Sequence, residues 1–351
     1  MSTNARLVDS APNRCRMDEL EKAGSDLEQV NDTIETLVTG IPAPIRKNFF
    51  KAFAQLCTAA VDIPVAKLQS RASEIRAESK ARVQIIERQG DTLSNNLDIP
   101  KEYINKASEK FASKVIKEQL NLDEIGMHAA NNLKSEENSE NSEEVNEISD
   151  DWLNEFENYA KLKSSEEMKL VFGKILSGEI RKPGTFSIRT VRIISQLDNE
   201  AAKLFQTFCS LTTSIWVDRV AIADARVISV KGDAAANNSL REYGLSFNQL
   251  NILQEYGLVI SSYDAGMHYE RCYINEQEKY EISIKFSNKH FLLKRKDFTD
   301  SNEKLRLTGP ALTKAGLELL EIISFEIDNK YKADLEHLFE SKGVEMVELK
   351  D

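Results

Sequence analysis

Residues 151–211 read as four short helices in immediate succession, each with its own start signal, and this run commits the chain to a mainly helical framework. Trp152, Phe156 and Tyr159 recur at spacings of four and three, which is one face of a first helix. Ser164 followed by Glu167 forms a capping box, so a second helix is expected to start there. Its core stripe is Met168, Val171, Phe172, Ile175 and Leu176, and Gly178 and then Pro183-Gly184 are expected to end it. Ser187 can cap a third helix carrying Ile188, Val191, Ile194 and Leu197, and Asp198 a fourth carrying Ala201, Leu204, Phe205 and Phe208.

Toward the N-terminus, residues 1–40 read as a mobile polar arm followed by a weak helix. From 41 to 133 the chain is helical and mildly basic. Ile45, Phe49, Phe53, Leu56, Ala60 and Ile63 form one apolar face, widened by Phe50 and Val61 and flanked by Lys47, Lys51 and Lys67. The uncharged core of this helix, residues 52–61, is half of the roughly 20 residues that a membrane span needs. Two roles remain open for Phe49, Phe50, Phe53, Leu56 and Val61: packing in a protein core or oligomer, or entry into a membrane on activation. Pro64 breaks the helix, and Leu68, Ala72, Ile75, Ser79, Arg82 and Ile86 then follow a three-four spacing that suits a partner helix. After Ile99-Pro100 another helix lines up Tyr103, Ala107, Phe111, Val115 and Leu120. So much apolar surface predicts a homo-oligomer built mainly from residues 41–120. Residues 134–150, acidic and nearly free of apolar side chains, read as a linker.

Beyond the central helical unit, taken as 151–230, Ile215 to Val230 is too apolar for a loop and ambiguous between helix and strand. In residues 231–351, Ser246 caps a helix bearing Leu250 and Leu253, and Gly257 stops it before a strand. Strand-like runs at 270–275, 280–286, 291–293 and 305–308 precede the helix LTKAGLELLEII, and the tail adds a helix ending at Gly343 and a short strand. The expected fold is mainly α, with an α+β winged-helix-like C-terminal half and a helical N-terminal oligomerisation or effector region.

The formal charge of −11 confines any phosphate binding to local patches. One is Arg181-Lys182 with Arg189 and Arg192; the other is Lys289-His290 with Lys294, Arg295 and Lys296, where Phe291 and Phe298 interleave the cations as in a single-strand or nucleotide binder. The candidate recognition helix 246–256 contains no Lys or Arg, which argues against reading duplex DNA. The four cysteines have no paired spacing, so neither zinc nor a disulfide framework is expected. No phosphate loop, dinucleotide fingerprint or nucleophile elbow occurs, so no cofactor, metal or catalytic residue is expected. Glu276, Glu278 and Lys279 keep a metal-dependent nuclease as a weaker alternative. The N-terminus lacks an apolar core of signal-peptide length, so a cytoplasmic protein is expected, associated with the inner membrane only when activated.

The motifs Phe172-Gly173-Lys174-Ile175-Leu176, Pro183-Gly184-Thr185-Phe186-Ser187 and Leu307-Thr308 with Lys314-Ala315-Gly316 carry a resemblance. Over roughly 41–320, apart from the acidic segment, the chain resembles a bacterial family, the domain of unknown function twenty-eight-oh-six. More loosely it is similar to abortive-infection alpha proteins. The resemblance implies a bacterial anti-phage effector or regulator without catalytic machinery. On that expectation the C-terminal part senses a ligand, nucleic acid or defence-operon partner, and the N-terminal helices deliver the response. The rival expectation is a winged-helix nucleic-acid-binding regulator.

Overall fold

A computed structural model describes residues 40–57, 100–135, 145–217, 221–231, 239–268, 281–286, 289–295 and 305–349. The expected N-terminal arm, the helix after Pro64, the strand at 270–275 and the Glu276–Lys279 cluster lie outside the described residues. The protein is mainly helical, with an antiparallel sheet in its C-terminal half. It divides into two compact units, Met1–Gly184 and Thr185–Asp351. That division falls inside the span 151–230 read as one helical unit, at the Pro183-Gly184 break, where Gly184 takes a positive φ.

The described part of the first unit comprises a 3-10 turn (Ala43–Ile45) and helices α1 (Arg46–Leu56), α2 (Lys101–Ser135), α3 (Asp150–Ala160) and α4 (Glu166–Arg181). Two glycines let helices approach closely. A Cβ on Gly173 of α4 would lie 2.5 Å from His128 Cβ and 3.2 Å from the Ala129 nitrogen on α2, and one on Gly126 of α2 would lie 2.5 Å from Cys57 Sγ. Across the α2–α4 seam, Lys169 pairs with Glu124, and His128 Nε2 lies 3.0 Å from Glu166. Phe49, Leu56, Leu122, Ile125, Trp152, Phe156, Phe172 and Ile175 are buried, and the Trp152 and Phe156 rings stack at 5.0 Å.

Three boundaries differ from the sequence expectations. Ser165, not Ser164, caps α4, its Oγ accepting from the Met168 N–H; Glu167 is then one position too early to reach back as a capping box. Gly178 does not end α4, because Ser177, Glu179 and Ile180 around it are buried and that burial outweighs glycine's weak propensity. Helix α1 stops at Leu56, with Cys57 extended.

The end of the acidic stretch is anchored as well as acidic. Lys134 and Ser135 belong to α2, while residues 145–149 lie along α1. There Ile148 is buried, and Asn48, itself 2% exposed, donates to the Asn146 carbonyl at 2.8 Å and accepts from the Ile148 N–H at 3.1 Å. Glu147 bridges Lys47 at 2.7 Å and Lys51 at 3.0 Å. Their hydrogen bonds, Lys47's first, hold its carboxyl down at about 2, against an ordinary 4.5. A lowered carboxyl stabilises the folded state above its unfolded value and loses that contribution as pH falls through the folded one. Anchoring of residues 145–149 is therefore expected to weaken between pH 4.5 and about 2, more so in high salt because these side chains are exposed. Hydrogen exchange at the Ile148 amide across that range checks it, and Glu147→Gln should flatten the step.

The second unit opens with α5 (Ile188–Gln196) and α6 (Asn199–Leu211), capped by Ser187 and Asp198 as the sequence indicates. The ambiguous stretch after them resolves as β1 (Thr213–Val217) and β2 (Ala221–Arg226), paired antiparallel. A 3-10 turn (Ser239–Tyr243), α7 (Phe247–Glu255), β3 (Val259–Ile260), β4 (Gly266–His268), β5 (Glu281–Phe286), β6 (Lys289–Arg295), β7 (Arg306–Thr308), β8 (Ala311–Leu312), α8 (Lys314–Leu320), α9 (Asn329–Ser341) and β9 (Val344–Glu348) follow. The larger sheet has the order β3-β8-β2-β1-β5-β6-β9, and β4 pairs with β7. Helix α9 is fastened by Tyr331, fully buried, whose hydroxyl donates to the Ile228 carbonyl at 2.9 Å, and by Tyr243, which donates to Asp334 at 2.5 Å.

Candidate functional site

The apolar candidates of α1 part company. Phe49 and Leu56 are 2% exposed and belong to the core, Phe53 is half-buried beside Gly126, and Phe50 is 44% exposed. Val61 lies outside the described residues. Of the face read in the sequence, the folded first unit buries Ile45, Phe49 and Leu56, while Ala60 and Ile63 lie outside the described residues. Among the described residues no helix is long and apolar enough to cross a membrane. Burial pushes the Cys57 and Cys209 thiols up, so both stay protonated at neutral pH.

The first basic patch divides between the two units. Arg181, in the last turn of α4, reaches the Asn132 carbonyl at 3.5 Å, and Lys182 is the C-cap. Arg189 and Arg192 are exposed on α5, with Arg189 Nη2 lying 3.0 Å from where a Cβ on Gly257 would sit.

The second patch lies on β6. Lys289 pairs with Glu348 at 2.5 Å, and Lys294 is exposed, with Glu281 and Glu345 opposite it on the neighbouring strands. Arg295 stands opposite Val344, and Lys296 lies outside the described residues, as does Phe298. Phe291 is not a stacking platform for bases: it points into the core at 2% exposure, with Lys332 5.6 Å from its ring centre. Strand alternation explains this, since Phe291 and Leu293 share the buried face while Lys294 takes the other. β9 at the sheet edge, with Glu345 and Glu348, brings carboxylates that were invisible while β6 was read alone.

Helix α7 presents a different surface. Ser246 Oγ accepts from the Gln249 N–H, and Gln249 Oε1 accepts from the Ser246 N–H at 2.7 Å, a complete capping box. Leu250 and Leu253 anchor the helix inward, which leaves Phe247 (45% exposed), Asn248, Gln254 and Glu255 outward. A cleft near the start of β1, lined by Thr212, Ser214, Lys285, Glu321 and Phe325, has a volume of about 80 Å³, too small for a nucleotide when ligand pockets run to about 300–1,000 Å³.

The motif residues themselves form joints. Phe172 and Gly173 set the α2–α4 contact. Gly184 donates its N–H to Glu179 at 2.7 Å, Phe186 is buried, and Ser187 caps α5. Thr313 caps α8 and donates to the Gly257 carbonyl at 2.6 Å, while a Cβ on Gly316 would come within 2.3 Å of the Leu258 oxygen. Two motifs meet at Glu318, which the sequence reading passed over: Oε2 accepts from the Ser187 N–H at 2.8 Å and from its hydroxyl at 3.1 Å. Its signal was a carboxylate one turn after Lys314 on the same side as Ala315 and Leu319. Removing it orphans a helix-N-terminal donor, so Glu318→Ala is expected to lose about 1–3 kcal/mol in urea denaturation, against little change for Glu321→Ala on the exposed side.

These features define a class: a mainly helical protein with an antiparallel α+β C-terminal half, whose motif residues hold caps and close helix contacts. The sequence model of the family described as Protein of unknown function (DUF2806) matches residues 105–336, and the chain belongs to that family. Comparison with curated proteins and with solved structures gives no significant match in either.

Proposed function

We propose that the chain is a non-catalytic regulator of the abortive-infection kind, whose C-terminal unit is winged-helix-like and recognises a protein partner through α7. The observation that carries this reading is the order β2, 3-10 turn, α7, β3, β8, with the last strand, β8, hydrogen-bonded between β2 and β3. We read this order as winged-helix-like, with the β4–β7 pair as the wing, β5, β6 and β9 as an extension of the sheet beyond β1, and α7, packed on α6, in the recognition position. Its outward side chains favour a protein surface over a duplex, because phosphate binding needs cations and α7 has none. The defence role draws on the resemblance to abortive-infection alpha proteins and on no geometric feature.

The test is phage challenge of cells carrying the gene in its native neighbourhood. Phe247→Asp should abolish protection without lowering the melting temperature, while Lys294→Ala/Arg295→Ala/Lys296→Ala should retain it. Protection lost with the triple variant and kept with Phe247→Asp would move the recognition role to β6 and nucleic acid. Absence of protection by the wild-type gene would overturn the defence reading.

A further inference from the structure

Ser214 of β1 is a buried serine whose hydroxyl is left over. It is 3% exposed, and among the described residues no hydrogen bond takes up its Oγ. Thr212, two positions earlier and equally buried, donates its own hydroxyl to the Phe208 carbonyl at 2.8 Å. Strand alternation sets Thr212 and Ser214 on one face, away from Thr213 and Ile215 on the other. Opposite Ser214 in the β1–β5 register is the half-buried Lys285, so a hydroxyl and an ammonium stem rise side by side from neighbouring strands.

These side chains form one wall of the cleft of about 80 Å³. The other wall is the chain that leaves α8. The Ile322 and Ile323 N–H groups both donate to the Leu319 carbonyl at 3.1 Å, and the turn they make brings Leu320, Ile323 and Phe325 to the cleft together with Glu321. A hydroxyl as buried as that of Ser214 is ordinarily paired. Left unpaired on a cavity wall beside a cation, it is a donor set for an acceptor from outside the chain.

We infer that the cleft binds a small α-amino acid as its zwitterion, with the carboxylate on Ser214 and Lys285 and the ammonium group toward Thr212 and Glu321. The hydrogen-bonding capacities sort that way. Ser214 and Lys285 can donate, whereas Thr212, its proton already given to Phe208, can only accept, as can the Glu321 carboxylate. A simple anion would leave both acceptors facing it, and a simple cation would meet the Lys285 ammonium; a zwitterion answers both sides. The volume has room for several water molecules or one molecule of this size, and the apolar wall suits a hydrogen or methyl side chain rather than a ring. The inference uses no residue of α7 and does not rest on the recognition role proposed for it.

The test is an NMR titration of the full-length protein with L-alanine at constant ionic strength. A single millimolar site is expected, as befits so small a ligand, with acetate and methylamine each at least roughly tenfold weaker and L-phenylalanine not binding. Ser214→Ala and Lys285→Met should each weaken alanine about tenfold or more, and Glu321→Gln should weaken alanine while leaving acetate where it was. Should Lys285→Met lower the melting temperature, Ser214→Ala, which removes a single atom, decides. Alanine affinity unchanged by Ser214→Ala, or no saturable binding of alanine at all, would overturn the inference. Acetate binding as tightly as alanine would overturn the zwitterion and leave a site for a plain carboxylate.

Discussion

Leu56→Asp is expected to unfold the first unit, whereas Phe50→Asp, six residues away on the same helix, leaves it intact. Leu56 is 2% exposed, and its carbonyl is held by Gln119. Truncating a buried leucine alone loses about 2–5 kcal/mol, and inserting a carboxyl group without a partner adds about 1–3 kcal/mol. The sum is comparable to the whole stability of a domain, about 5–15 kcal/mol. Phe50, 44% exposed with its ring edge-on to Phe49, should lower the unfolding free energy in urea by only about 1 kcal/mol. The pair also tests membrane entry by α1, because the two substitutions remove apolarity from the same helix but only Phe50→Asp does so with the fold kept. Vesicle leakage that survives Phe50→Asp would leave α1 as a core element alone; leakage lost with Phe50→Asp in a protein of unchanged melting temperature would favour the membrane role.

Local signals were legible wherever a side chain acts on its own backbone. Ser187, Asp198 and Ser246 cap the helices expected of them because each makes its bond within three residues. Signals that depend on what lies opposite were not. Phe49 and Leu56 of α1 could not be assigned to a core from the sequence because α2, α3 and α4, which pack on that helix, are remote in sequence. Residues 145–149 looked like more linker because the partner of Ile148 is the side chain of Asn48. Strand β6 read as a cationic surface because β9, with its carboxylates, pairs with it from the far end of the chain. Gly178 shows the converse, a local stop signal overridden by the burial of its neighbours. The sequence expectation for the C-terminal half came from element order alone; strand order, with β8 between β2 and β3 and β5, β6 and β9 on the far side of β1, is information that no single stretch contains.

Gly309→Ala should be among the most damaging single-methyl changes in the second unit, at about 4 kcal/mol. Gly309 has φ +136°, and a Cβ there would lie 2.0 Å from the Val227 oxygen and 3.1 Å from the Ser229 nitrogen, both backbone atoms that cannot rotate away. The close approach is what lets residues 308–310 bind alongside β2: the Val227 N–H donates to the Pro310 carbonyl and the Ser229 N–H to that of Thr308, each at 2.9 Å. Arg226, 4% exposed and paired with Asp224, depends on the same geometry, since its Nη1 donates to the Ala265 carbonyl at 2.6 Å and the Gly309 carbonyl at 3.2 Å. Backbone strain of about 1–3 kcal/mol and overpacking of about 1–3 kcal/mol therefore act together, with a buried guanidinium losing acceptors as the strands part. Gly343→Ala isolates the first of these, because Gly343 has φ +71° with no heavy atom within 4 Å of its would-be Cβ, and it should lose only about 1–2 kcal/mol. Equal losses for the two variants in urea denaturation would mean that the approach of Gly309 to Val227 does not hold the sheet. A loss at Gly309 at least twice that at Gly343 is the expected result, and it places the junction of β2 with the segment leading into β8 among the contacts on which the second unit depends.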